Sequence, residues 1–380
     1  RRVSSASGMV ERCWVAILVG AVVVAVGARY FDRDLSNRFI LDQSLIDRLK
    51  ELELVQTHVN ENPSQPREVR GWDQIPVGQV GGVAVDKNSD LYVFHRAGRV
   101  WDYGTFNGNT LAHPEQGPID VDVINKWDSR TGNVLDRFGR GKFYMPHGIT
   151  VDKDGNIWVT DVGLHQVMKF PKGSHDASMV LGEALVPGSD DRHFCKPTDV
   201  AVASNGDFFV SDGYCNSRIM RFSSNGTLLK TWGQNPTGAA KLAGDEFQIP
   251  HSLTLMEETD TVCVADREHE RIQCFLAGLK DGNRTGTFLR SIPSDHGRIF
   301  AISYDPTNRI LYAVTGSDPM GVKPPVGLTM NLNGKLLEIW RPTNTGFEAP
   351  HDLAVSPDGR ELYVGDIGQD PVVWKFESRI

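Results

Sequence analysis

The feature that most constrains this chain is a repeat. Similar pentapeptides begin at Gly82 (Gly-Val-Ala-Val-Asp), Gly148 (Gly-Ile-Thr-Val-Asp), Asp199 (Asp-Val-Ala-Val-Ala), Ser252 (Ser-Leu-Thr-Leu-Met), Ala301 (Ala-Ile-Ser-Tyr-Asp) and Asp352 (Asp-Leu-Ala-Val-Ser). The steps between them are 66, 51, 53, 49 and 51 residues. A period near 50, made of short strands and turns, marks a β-propeller. In the second copy Ile149–Val151, Ile157–Thr160 and Gln166–Phe170 read as strands, with Met179–Leu181 as a fourth. Asp154-Gly155, Asn205-Gly206, Asn225-Gly226, Asn333-Gly334 and Asp358-Gly359 supply the turns between such strands. Six copies predict an all-β chain folded as one six-bladed propeller. The longer first step leaves an insertion around Tyr103–Gly117, expected as a loop on one face.

A Pro-His pair opens the first strand of alternate copies: Pro146-His147, Pro250-His251 and Pro350-His351. In a six-bladed ring these copies are related by about 120° around the axis. The odd copies hold Gly81, Thr198 and Phe300 at the matching position, keeping the strand and dropping the imidazole. Three neutral imidazoles with an open fourth position are a catalytic zinc arrangement, because structural sites use four protein ligands. The competing reading, histidines that merely cap strands, does not explain the alternation. Asp152, Asp161, Asp212, Asp266 and Asp366 recur near strand ends, where a carboxylate accepts from turn amides, and read as structural. Asp352 differs because it directly follows a candidate ligand.

Composition limits the rest. The net charge is −8 with no basic block, which argues against nucleic acid as a partner. Cys13 to Ala28 is an apolar run short for a membrane span, with Val26 and Ala28 suited to signal cleavage before Arg29. Residues 1–28 are thus read as leader and signal peptide, with an uncleaved signal anchor as the alternative that alone would bring in a membrane. Either sends the chain into the secretory pathway, to be secreted or held in a granule lumen. In residues 29–70, Leu41, Leu45, Leu49 and Leu52 predict one amphipathic helix, and Asn60–Arg67 a linker. Residues 71–380 are the propeller, expected as a monomer. Cys195, Cys215, Cys263 and Cys274 are an even set in an oxidising compartment. Cys263 and Cys274 lie on strands joined by the Asp266–Arg271 turn and can face one another, which leaves Cys195 with Cys215. Asn225 and Asn283 stand in glycosylation sequons.

Further blocks carry a resemblance. Trp158-Val159-Thr160-Asp161-Val162-Gly163-Leu164-His165-Gln166-Val167, His193-Phe194-Cys195-Lys196-Pro197-Thr198-Asp199-Val200, Val210-Ser211-Asp212-Gly213-Tyr214-Cys215-Asn216-Ser217-Arg218-Ile219 and Cys263-Val264-Ala265-Asp266-Arg267 through Arg271-Ile272-Gln273-Cys274-Phe275 resemble peptidyl-α-hydroxyglycine α-amidating lyase. The resemblance runs from about Trp72 to Phe376 and implies an NHL-type propeller. It implies release of glyoxylate from a peptide ending in α-hydroxyglycine, leaving a peptide amide. It also implies zinc on His147, His251 and His351, and calcium on the Asp352 side chain with the Val83 and Ile149 carbonyls. Tyr214 matches the family's catalytic tyrosine, and Arg96 and Arg267 match arginines near the substrate. From the residues alone, Tyr214 reads equally well as a packed aromatic, and each arginine as a surface charge. A guanidinium grips a carboxylate by two bonds, which the glycine-derived carboxylate calls for. A Cys195–Cys215 bond would fix the backbone at Tyr214. Ala349 departs from the family's usual Met, and Gly104–Gln116 and Asp318–Gly327 diverge. Residues 29–70 are too short for the copper monooxygenase that makes hydroxyglycine, so that enzyme is expected to be separate. Two other classes remain: a binding scaffold without catalysis, and a calcium-dependent lactonase-type propeller with oxygen ligands.

Overall fold

In the second copy, Ile157–Asp161 is buried at every position and Gln166–Phe170 at all but Lys169, so each strand packs on both of its faces. Such strands must be covered by neighbouring sheets, and a ring of radial sheets does this without helices. The computed structural model describes residues 65–72, 76–238, 244–318 and 321–378. The apolar run at Cys13–Ala28 and the helix expected over Leu41–Leu52 lie outside the described residues. Among the described residues no helix is long and apolar enough to cross a membrane.

Six four-stranded antiparallel sheets follow the six copies. The inner strands are Val80–Val85, Pro146–Val151, Pro197–Val202, Pro250–Met256, Ile299–Asp305 and Pro350–Val355. Five sheets run inner to outer in chain order, for example Pro197–Val202, Phe208–Asp212, Arg218–Phe222 and Leu228–Trp232. Apolar clusters fill the spaces between blades; one joins Phe94, Ile124 and Phe138 of the first blade to Ile149, Val159 and Phe170 of the second.

The sixth sheet is built differently. Its three later strands, Pro350–Val355, Glu361–Asp366 and Val373–Glu377, are completed by Arg67–Glu68 from before the first blade. Arg67 pairs with Glu377 and Glu68 with Phe376, and the Val69 N–H donates to the Lys375 carbonyl. A segment whose sequence reads as linker therefore closes the ring, and a two-residue strand has no period for sequence to reveal. The long first step contains a short hairpin, Phe106–Asn107 with Thr110–Leu111, and a 3₁₀ turn at Pro114–Gln116.

Both disulfides join as the sequence implies, Cys195 with Cys215 and Cys263 with Cys274. Cys263 and Cys274 are direct partners across neighbouring strands. Asn225 and Asn283 are exposed, as glycan acceptors must be.

A chain beginning at Trp72 loses the closing strand and leaves Val373–Glu377 as an unpaired sheet edge. Its melting temperature is expected to fall by several degrees, each kcal/mol lost being worth about 2–4 °C in a domain of roughly this size. Calorimetry that finds an unchanged transition would show that the ring closes without Arg67–Glu68.

Candidate active site

The site begins with the carboxylates that end the second strands. Asp161 accepts from the N–H groups of Tyr144, Met145, Gly163 and Leu164, holding down the loop that leads into Pro146-His147. Asp366 does the same for Ala349 ahead of Pro350-His351, and Asp266 for Gln248 ahead of Pro250-His251. The strand-end aspartates are structural, and what they fix is the entry of each histidine.

The three imidazoles meet on the axis, with ring centroids 4.7–4.9 Å apart. Their ligand atoms lie within 4.8 Å of one another. Each ring reaches across to the next blade. The Nδ1–H of His147 donates to the Thr198 carbonyl at 2.8 Å, that of His251 to Phe300 at 2.7 Å, and that of His351 to Gly81 at 2.9 Å. The acceptors are the three odd-copy positions that lack an imidazole. These bonds fix the tautomer, so every Nε2 lone pair faces the axis. Burial drives the His147 and His251 values far below normal and His351 down to about 3, with the neighbouring cationic groups adding to it. The rings are therefore neutral, as metal ligation requires.

The Tyr214 hydroxyl stands 3.0 Å from Nε2 of His147 and 3.1 Å from Nε2 of His251. Its ring lies between the Trp101 indole, 4.8 Å away, and the Arg267 guanidinium, 5.3 Å away. Burial raises the phenol's pKa, while Arg267 and Arg96 pull against that rise. Cys215 follows directly, and its bond to Cys195 ties this loop to the start of the third blade.

Arg96 is 1% exposed, which overturns its reading as a surface charge. Nε donates to the Pro146 carbonyl at 3.0 Å and one terminal nitrogen to Gln79 Oε1 at 2.9 Å. The other, Nη2, is buried without a partner. Burial lowers this guanidinium to about 10, so it stays charged at neutral pH. A buried cation with a free donor beside three neutral imidazoles is suited to an anionic ligand group. Arg267 is half-buried, stacked over Phe300 at 4.8 Å and paired with Glu268 at 2.8 Å.

Behind the histidines a small axial cavity of about 10 Å³ has room for one water-sized particle. Asp352 and Asp199 both line it. Asp352 Oδ2 accepts from the Val83 N–H and Asp199 Oδ2 from the Leu253 N–H, each at 2.8 Å. The lining does not include Val83 or Ile149; the Ile149 N–H lies 2.9 Å from where a Cβ on Gly82 would stand. Asp199 escaped the sequence reading, although it holds the same repeat position as Asp352. Trp101 gave no signal, because it lies between the second strand of its copy and the insertion, where no repeat applies.

An NHL repeat family matches residues 143–170, 194–222 and 247–275. Peptidyl-glycine alpha-amidating monooxygenase A of Xenopus laevis is 46% identical over 308 residues, covering 80% of this chain and 32% of that protein. The chain thus spans about a third of the length of that relative. Peptidyl-alpha-hydroxyglycine alpha-amidating lyase 2 of Drosophila melanogaster is 40% identical over 316 residues, covering 81% of this chain and 74% of that protein. A chain of the nidogen/laminin complex shares the fold at 16% identity and a TM-score of 0.53, over 74% of this chain and 87% of that one.

The two axial carboxylates generate a test. Burial pushes Asp199 up to about 7, and burial together with Asp199's charge pushes Asp352 well above the usual carboxylate range. An acid whose folded value exceeds its unfolded value near 3.9 stabilises the fold most at low pH. That contribution is lost as pH rises through the folded value. Chelator-treated protein is expected to lose stability between about pH 4 and pH 7, and Asp199→Asn to flatten the profile. Urea unfolding across that range checks it, and identical profiles for the two proteins would remove Asp199 as the cause.

Proposed function

The chain belongs to the peptidyl-α-hydroxyglycine α-amidating lyase family, and from that premise we propose that it cleaves a peptide ending in α-hydroxyglycine to the peptide amide and glyoxylate. The observation that carries the proposal is the convergence of three neutral imidazoles, the Tyr214 hydroxyl and the unpartnered nitrogen of Arg96 at one mouth of the axial channel.

The reaction needs three things of this chain. The substrate's terminal carboxylate must be held, and the free Nη2 of Arg96 is the buried donor for it, with Arg267 close to the same tyrosine. The hemiaminal hydroxyl must lose its proton, and Tyr214 is the acceptor. As that proton leaves, the oxygen's electrons form the aldehyde C=O and the C–N bond pair moves to the amide nitrogen. The nitrogen then takes a proton, which the Tyr214 phenol returns. Atoms balance with no water consumed. Trp101 and Arg267 on either side of the phenol hold it at the imidazoles throughout.

Zinc is the metal the imidazole set suits: three neutral nitrogens with fixed tautomers and one position left for substrate. When bound, it supplies a Lewis acid that lowers the pKa of the substrate hydroxyl and of the phenol beside it. Calcium is proposed for the axial cavity, on Asp352 with carbonyls of Val83 and Ile149. Two buried carboxyl groups sharing a cavity support it, since among the described residues no Lys or Arg lines that cavity and a cation there would let both ionise. Asp199 is added as the second carboxylate facing that ion. The substrate would come from a copper monooxygenase, the activity carried in the name of the longer Xenopus relative. A secreted or granule-lumen setting fits the two disulfides and the exposed Asn225 and Asn283.

Glyoxylate release from an α-hydroxyglycine peptide, abolished by a chelator, is the deciding assay. His251→Ala should lose zinc and activity together, because two imidazoles hold the metal far more weakly than three. Tyr214→Phe should retain zinc and lose about 10²–10⁴-fold in turnover, the usual cost of removing a general base. Metal analysis beside the kinetics separates the two effects. Zinc-loaded protein that releases no glyoxylate would refute the lyase reading, and wild-type turnover by Tyr214→Phe would refute the base.

A further inference from the structure

A trench of about 500 Å³ crosses the first blade, and the reaction as described makes no use of it. It is lined by His95, Ala97, Asp122, Asn125, Arg137 and Arg140, among others. These residues stand where the blade's second strand ends, its third begins and its fourth ends. That is the end of the blades at which Pro146, Pro250 and Pro350 enter, so trench and histidines open on the same face. Ala97 directly follows Arg96, and consecutive Cα atoms are about 3.8 Å apart. From that point the lining runs outward to Arg137 on the outermost strand.

The chemistry of the trench wall follows from one buried imidazole. The Ala97 N–H donates to Nδ1 of His95 at 3.1 Å, so Nδ1 carries no proton. Burial, with Arg137's charge added, holds His95 down at about 4, and the neutral ring must carry its proton on Nε2. Nε2 lies 3.0 Å from the Asn125 side-chain nitrogen, while Asn125 Oδ1 is buried without a partner. Two donors cannot face each other, so the amide oxygen belongs on the His95 side and accepts from Nε2. His95 and Asn125 are both buried, and they line the trench without adding charge to it. Among the described residues Arg137 makes no ion pair, and Arg140 has only Asp120 at 3.8 Å, both highly exposed. Asp122, the one acid in the lining, already accepts from the Arg140 N–H at 3.1 Å.

Two guanidinium groups lining one trench make a site for a carboxylate. We infer that this trench binds the substrate peptide upstream of its hydroxyglycine and selects for an acidic side chain there. The inference rests on the lyase reading, which brings the peptide's last residue to Arg96. Because Ala97 lines the trench directly after Arg96, the earlier residues would run outward over the first blade. A cavity of this size is in the range of ligand sites.

The test uses full-length, metal-loaded protein and α-hydroxyglycine peptides carrying Glu, Ala or Lys at each of the three preceding positions. The expected result is a kcat/KM about tenfold higher for Glu than for Lys at one of them, as one charge-assisted bond implies. Arg137→Gln should bring that ratio to within about twofold of unity. Asn125→Asp adds a negative charge to the lining and should favour Lys; if it does not fold, the Arg137 ratio still decides. Equal rates for Glu and Lys in wild type, or a ratio that Arg137→Gln leaves intact, would overturn the inference while leaving the lyase reading standing. Inorganic phosphate that stabilises the wild type but not Arg137→Gln, with no peptide preference, would assign the trench to a free oxyanion and also overturn it. Absence of glyoxylate from every peptide would overturn both readings.

Discussion

The axis depends on how closely inner strands of neighbouring blades approach. A Cβ on Gly148 would lie 2.4 Å from the Thr198 carbonyl oxygen, and one on Gly213 2.0 Å from the Pro250 oxygen. Such distances admit no side chain, so glycine is required at both places. The approach at Gly148 involves the same Thr198 carbonyl that accepts from His147. Backbone contact between blades and imidazole orientation are thus one constraint. An odd blade contributes the acceptor, an even blade the ring, and three repetitions put three lone pairs on one point. The arrangement needs no loop to position it, and sites on rigid elements hold their geometry best.

Fold and site were unequally legible in the sequence. Blade number followed from the pentapeptide steps, because period-two strands between glycine turns leave a regular mark. The histidine triad was legible for the same reason: a residue present in alternate copies becomes a threefold set once the copies are arranged in a ring. Asp199 carried the same mark and was passed over, since its pentapeptide was aligned for its apolar residues. Two kinds of feature left no mark. Arg67–Glu68 is too short for a period, and its partner strand lies at the far end of the chain. Trp101 and the trench depend on an insertion and on strand ends, where neighbours are set by tertiary packing.

Family resemblance and residue chemistry also contributed differently. The reading of Arg96 and Arg267 as near the substrate came from resemblance, while the residues alone favoured surface charges. Burial removes the surface-charge reading for Arg96, and its unpartnered buried nitrogen is what the proposed carboxylate would complete. Tyr214 reads from the residues as either packing or chemistry, and its surroundings are compatible with both. Its ring packs between an indole and a guanidinium, and its hydroxyl contacts two imidazoles.

The site divides its charges along the axis. At the mouth, Arg96 and Arg267 are positive, the imidazoles are neutral, and a carboxylate ligand is favoured. Behind the imidazoles, Asp199 and Asp352 are withdrawn from water with only backbone N–H groups and Ser252 to bond. Two buried carboxyl groups behind neutral rings can ionise together only beside a cation, and positive groups in front attract an anion. The three histidines form the boundary between these fields. On the lyase reading proposed above, the substrate's carboxylate would face the arginines and its hydroxyl the Nε2 atoms and Tyr214. On the same reading, the guanidinium groups at the mouth would draw a peptide's C-terminal carboxylate toward the axis before any shape is considered.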